Sequence, residues 1–189
     1  MPTFRPGDLI GFSGSAWTSA FIQLVTYGIP GWSLSHVAII GEHDSKNLLF
    51  ESDENPKLPC AIRGTIAKGV QAHSIQEKIA SYPGKVWHYS LSRELYSFEQ
   101  ARLNGFLLSK IGDGYDKIGA IRAGGLGFSW VESCFHEENL NSLFCSEYCA
   151  AAHREIGLFP TDNVGRWSPN RLCRKERRMG LLLKPRRLK

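Results

Sequence analysis

The chain has 189 residues, 42% hydrophobic and 22% charged, which is enough for one domain with its own core and short for two. No apolar run approaches the roughly 20 residues that cross a bilayer, and the polar, proline-broken start Met1-Pro-Thr-Phe-Arg-Pro-Gly-Asp8 does not read as a secretory signal. The net charge of +5 hides an asymmetry: residues 171–189 hold nine Lys and Arg against Glu176, a sum of +8 that leaves −3 for residues 1–170.

These numbers set expectations about place and partners. Synthesis in the cytoplasm is expected, with association with a virion or release by lysis as the routes outward. Residues 173–189 read as a basic C-terminal tail suited to nucleic acid, anionic lipid or an acidic protein surface; the plain alternative is a solvated terminus. Five cysteines at irregular spacing (60, 134, 145, 149 and 173) argue against a disulfide framework.

In chain order, Pro6-Gly7 predicts a turn and Leu9 to Phe12 a short strand. Trp17, Phe21, Leu24 and Val25 recur at helical spacing, predicting a helix from 16 to 27 that Gly28 and Pro30 end. Ser35 to Ile40 reads as a strand closed by Gly41, and Asn47 to Glu51 as the next strand after a turn over 42–46. Val70 to Ile75 and Lys85 to Leu91 alternate as strands do. Phe98 to Ile111 reads as a helix stopped at Gly112, 116–122 as a short helix, and Gly124, Gly125 and Gly127 as a flexible connection. Cys145 to Ile156 reads as a helix rich in alanine with Gly157 as its stop, and Ser168-Pro169 opens a last helix. The order predicts an α+β fold, an antiparallel sheet covered by helices on one side.

Three residues could carry chemistry. Cys145 is expected at a helix N-terminus, where unpaired N–H groups and the helix dipole favour thiolate; the alternative is one more buried cysteine. His36, near the start of an apolar strand, could take a proton from a thiol and return it to a leaving group. Glu51, ending the next strand, could fix the ring of His36, with Asp53 and Glu54 as substitutes. A zinc site is the chemical rival: Cys134, His136, Cys145 and Cys149 offer four ligands, at a spacing unlike that of a zinc ribbon or finger. The thiol chemistry needs no metal and no cofactor.

Pro6-Gly7-Asp8-Leu9-Ile10, Ser35-His36-Val37-Ala38-Ile39-Ile40, Phe50-Glu51, Tyr115-Asp116 and Phe144-Cys145-Ser146-Glu147 occur in one order, followed by Ser168-Pro-Asn-Arg-Leu172. This resembles the circularly permuted branch of the NlpC-type, papain-like cysteine peptidase superfamily (the YiiX/YebB-like group), in which the histidine strand precedes the cysteine helix. The resemblance implies a permuted papain-like thiol hydrolase domain over 1–172, with Cys145 as nucleophile, His36 as general base and acid, Glu51 orienting His36, and Tyr115 near the oxyanion site. It departs from the pattern in the long gap between Tyr115 and Cys145. The implied substrate is a peptide or acyl-amide, with bacterial peptidoglycan first. Two further readings stand beside it. One is a lipid-directed acyl hydrolase or acyltransferase with Trp17, Phe21, Trp32 and Trp130 lining a groove. The other is a non-catalytic structural or binding module such as a phage particle component.

Overall fold

The computed structural model describes residues 3–14, 34–53, 56–113, 137–159 and 167–189, with the backbone alone for 137–144. Among the described residues ten elements follow one another: β1 (Leu9–Ser13), β2 (His36–His43), β3 (Lys46–Asp53), β4 (Gly69–Ser74), α1 (Ile75–Ser81), β5 (Lys85–Tyr89), α2 (Ser97–Ser109), α3 (Glu137–Glu155), α4 (Pro169–Arg178) and β6 (Arg186–Arg187). The strands form one antiparallel sheet in the order β4-β3-β2-β1-β5-β6. The expected α+β fold with an antiparallel sheet is therefore present. No helix among the described residues is long and apolar enough to cross a membrane.

β2 and β3 are longer than the sequence predicts. β2 runs through Gly41, and the hairpin closes at Asp44-Ser45, with φ of 50° and 57° and His43 opposite Lys46. Two successive positive φ values make the tight turn whose twist suits a hairpin. Gly41 serves packing instead of ending the strand. A Cβ there would stand 2.4 Å from the Leu107 side chain and 3.0 Å from the Phe50 ring, so the glycine lets α2 approach the sheet.

The strand alternation divides the core in two. Leu9, Val37, Ile39, Phe50, Val70 and Ala72 pack with Leu103 and Leu107 of α2, Cys149 of α3 and Leu172 of α4. Ile10, Phe12, Ala38, Ile40, Leu49 and Val86 pack on the other face, under Ile75 and Ile79 of α1. Helices thus cover both faces, not one. The added cover is α1, which begins where the sequence predicted the end of a strand. Ser74 caps it, its hydroxyl accepting from the Glu77 N–H at 3.4 Å.

The helix predicted over 16–27, the one over 116–122 and the glycine-rich connection lie outside the described residues. The basic segment 173–189 starts inside α4. Cys173 and Leu182 are buried in the core, Arg186 and Arg187 pair with β5, and the Lys189 ammonium donates to the carbonyls of Ala80 (2.9 Å) and Tyr82 (2.6 Å) at the C-terminal end of α1. Its other cations are exposed.

Candidate functional site

His36 is the first residue of β2, and its lead-in is held from two sides. The Ser35 N–H donates to the Phe12 carbonyl at 2.8 Å. The Leu34 N–H donates to Asn170 Oδ1 at 2.9 Å, and Asn170 Nδ2 donates back to the Leu34 carbonyl at 3.5 Å. Asn170 stands in the first turn of α4 because Ser168 caps that helix and Pro169 opens it. A side-chain amide thus acts as the pairing partner of the backbone two residues before His36.

β3 brings Glu51 to the imidazole. The register sets Ile39 beside Phe50, so Glu51 lies diagonally across from His36, within reach of a long side chain. His36 Nε2 donates to Glu51 Oε2 at 2.7 Å. The carboxylate is fully buried and the imidazole is 19% exposed. Three more groups surround the carboxylate. The Lys78 ammonium, from α1, pairs with Glu51 Oε1 and lies 3.3 Å from Asp53 Oδ2. His73 Nε2, from β4, lies 3.3 Å from Glu51 Oε1. Burial pushes the Glu51 carboxyl up, but Lys78, with His36 and His73, outweighs it and brings the pKa down to about 2.

The second partner of His36 is the Cys145 thiol. Burial lowers the basicity of this imidazole. The charge of and hydrogen bond to Cys145, with those of Glu51, more than offset it and hold the His36 pKa well above the ordinary value. Cys145 lies in the core on the α3 face, while Glu51 shares the α1 face with Leu49. His36, at the end of β2, is the side chain in contact with both.

The structure corrects one expectation about Cys145. α3 opens at Glu137, eight residues earlier, so Cys145 sits mid-helix. Its N–H belongs to the helical ladder, and neither the helix dipole nor free N–H groups act at its thiol. The polarising group is His36. Cys145 is also fully buried. Beside it, Ser146 donates to the Trp167 carbonyl, tying α3 to the lead-in of α4. Burial first, then neighbouring negative groups, push the Cys149 and Cys173 thiols well above the ordinary range.

Of the residues named from sequence, Cys145, His36 and Glu51 are brought together. Tyr115, the aromatic residues Trp17, Phe21, Trp32 and Trp130, and the zinc candidates Cys134 and His136 lie outside the described residues. Lys78 and His73 were missed. The signal for Lys78's helix was present as Ser74-Ile-Gln-Glu77, the capping-box pattern. Nothing local marks the lysine itself.

No family model and no curated protein matches this sequence. A solved structure does resemble the fold: YiiX from Escherichia coli O157:H7, described as a metalloprotein, with a TM-score of 0.51, 19% identity, and coverage of 82% of this chain and 67% of YiiX. The fold is YiiX-like. A metal does not fit the cluster described here. The Lys78 ammonium already stands between the Glu51 and Asp53 carboxylates, where a cation would otherwise be held. Among the described residues, no group of three or more His, Cys, Asp and Glu side chains is placed to ligate one.

Proposed function

We propose that this chain is a cysteine-dependent hydrolase of an amide bond, a circularly permuted relative of the NlpC-type papain-like peptidases. Cys145 is the nucleophile, His36 the base and acid, and Glu51 the residue that orients His36. One observation carries the reading: a single imidazole is held between a buried carboxylate at 2.7 Å and a thiol. The YiiX-like fold and the order of histidine strand before cysteine helix support it.

The chemistry follows from that arrangement. The thiolate forms when His36 takes the Cys145 proton, and Glu51 stabilises the imidazolium. Sulfur adds to the carbonyl carbon. The C–N bond then breaks as His36 passes its proton to the leaving amine, leaving a thioester. Water adds to the thioester, giving its proton to His36, and the acid departs as the thiol is restored. The substrate class we assign is a bacterial cell-wall peptide, which rests on the sequence resemblance.

A second reading, a non-catalytic module, is favoured by the complete burial of Cys145. One experiment separates the two. At pH 6, iodoacetamide should modify Cys145 first among the cysteines, and His36→Ala should slow that modification. Purified peptidoglycan should release peptide fragments with wild type and none with Cys145→Ala. Slow, equal labelling of all five cysteines would sink the hydrolase reading. Selective labelling with intact peptidoglycan would sink only the substrate class.

A further inference from the structure

Lys78 belongs to the same constellation, and its role there extends the proposed function, on which it rests. The side chain is 12% exposed, comes from the short helix α1, and ends at Glu51 Oε1 with Asp53 Oδ2 3.3 Å away. A lysine taken this far out of water loses hydration and side-chain freedom, and surface packing alone does not require it there. What it meets is the buried carboxylate that holds His36.

We infer that Lys78 is a positioning residue that sets the pH range in which Cys145 is a nucleophile, by neutralising the Glu51 end of the Cys145–His36–Glu51 chain. The reactive form of that chain carries two negative charges, on sulfur and carboxylate, and one positive charge, on the imidazole. Lys78 brings the sum over these four groups to zero inside a poorly hydrated site, where an unbalanced charge is costly. Every group facing Glu51 enters this balance: His36 from β2, His73 from β4, Asp53 on β3 itself and Lys78 from α1. His73 is the competing cation. Its Nδ1 donates to the Pro59 carbonyl at 3.1 Å, so a proton on Nε2 would complete a bond to Glu51 Oε1. Burial, with Lys78 beside it, instead holds the His73 pKa down.

The sign is fixed by charge. Removing a positive group makes every nearby proton harder to lose, so the thiolate forms only at higher pH. The test is the rate of Cys145 alkylation by iodoacetamide from pH 4 to 9, in the folded full chain, checked by circular dichroism. Lys78→Gln should move the acid limb up by about one unit, which slows alkylation about tenfold at pH values below the wild-type limb. Lys78→Arg, which keeps the charge, should keep the wild-type limb. The double variant Lys78→Gln/His73→Asn removes the competing cation and should move it further. Should Lys78→Gln fail to fold, Lys78→Met provides a neutral side chain of similar length. A purely structural lysine would change the melting temperature of all these variants and leave the limb where it is. Wild-type limbs in both Lys78→Gln and the double variant would overturn the inference while Cys145 remained selectively reactive. Loss of selective labelling in wild type would instead defeat the hydrolase reading.

Discussion

Among the described imidazoles that lie against fully buried carboxylates, His36 and His153 differ in what stands on the far side of the ring. His36 meets Glu51 at 2.7 Å through Nε2 and has the Cys145 thiol as its other partner. His153, at the end of α3, meets Glu176 of α4 at 2.8 Å through Nδ1 and donates through Nε2 to the Gly7 carbonyl at 2.9 Å. A carboxylate and a carbonyl only accept, so it is the protonated ring of His153 that satisfies both partners at once. It ties α3, α4 and the turn before β1 together. The Cys145 thiol has a proton to give to His36; the Gly7 carbonyl on the far side of His153 has none. Exposure follows the same division, 19% for the His36 side chain and none for His153. A histidine–carboxylate pair is thus not in itself a sign of catalysis. The chemistry of the third partner decides.

The largest expected effects separate the two pairs by kind. His36→Ala should slow Cys145 alkylation at pH 6 about a hundredfold or more, with a small change in denaturation midpoint. His153→Ala should do the reverse. It leaves the Glu176 carboxylate buried and unpaired, a cost of about 3–5 kcal/mol, read as a lower urea midpoint, while the folded fraction alkylates at the wild-type rate. A stability loss from His36→Ala as large as that from His153→Ala would erase the distinction.

The contrast also shows how far the sequence reached. His36 and Glu51 were legible because a hairpin of alternating residues puts them on one face, and period two survives almost any packing. Tertiary information was needed elsewhere. No glycine or proline separates Glu137 from Cys145, so nothing local stops α3 from starting two turns early, and the expected helix N-terminus vanished. α1 was hidden because Ile75 continues the strand pattern of Val70 to Ser74 while also opening a helix. Lys78 reads as an ordinary solvated lysine until β3 is placed beneath it. His153 stood in the helix predicted from Cys145 to Ile156, and its partner Glu176 lay at the edge of a segment read as a tail. Their meeting depends on α4 packing against α3.

The pH dependence of stability should divide the pairs next. Glu51 is held down to about 2 against an ordinary 4.5. Its contribution is therefore complete above 4.5 and lost as pH falls toward about 2. The His153 pKa is raised: burial lowers it, but Glu176 and the Gly7 carbonyl more than offset this. Its contribution is complete below the ordinary 6.5 and lost as pH rises through the folded value. Urea midpoints should accordingly lose their slope between pH 4.5 and 2 in Glu51→Gln, and their alkaline slope should flatten in His153→Gln. Slopes unchanged in both variants would mean that neither pair is linked to folding as its geometry implies.

The smallest effect concerns the hold on the strand that carries His36. Asn170 is 8% exposed and meets the Leu34 backbone through both ends of its amide. Asn170→Ala leaves a buried N–H without its acceptor, at about 1–2 kcal/mol. It also loosens the chain two residues before the imidazole, and Cys145 alkylation should slow a few-fold. Asn170→Asp separates these effects. Its carboxylate keeps the acceptor for the Leu34 N–H and gives up the weaker bond at 3.5 Å, so the alkylation rate should stay near wild type. If Asn170→Asp slows alkylation as much as Asn170→Ala does, the 2.9 Å bond is not what holds His36 in place. The lead-in to His36 would then be held by β1, through the Ser35 N–H and the Phe12 carbonyl.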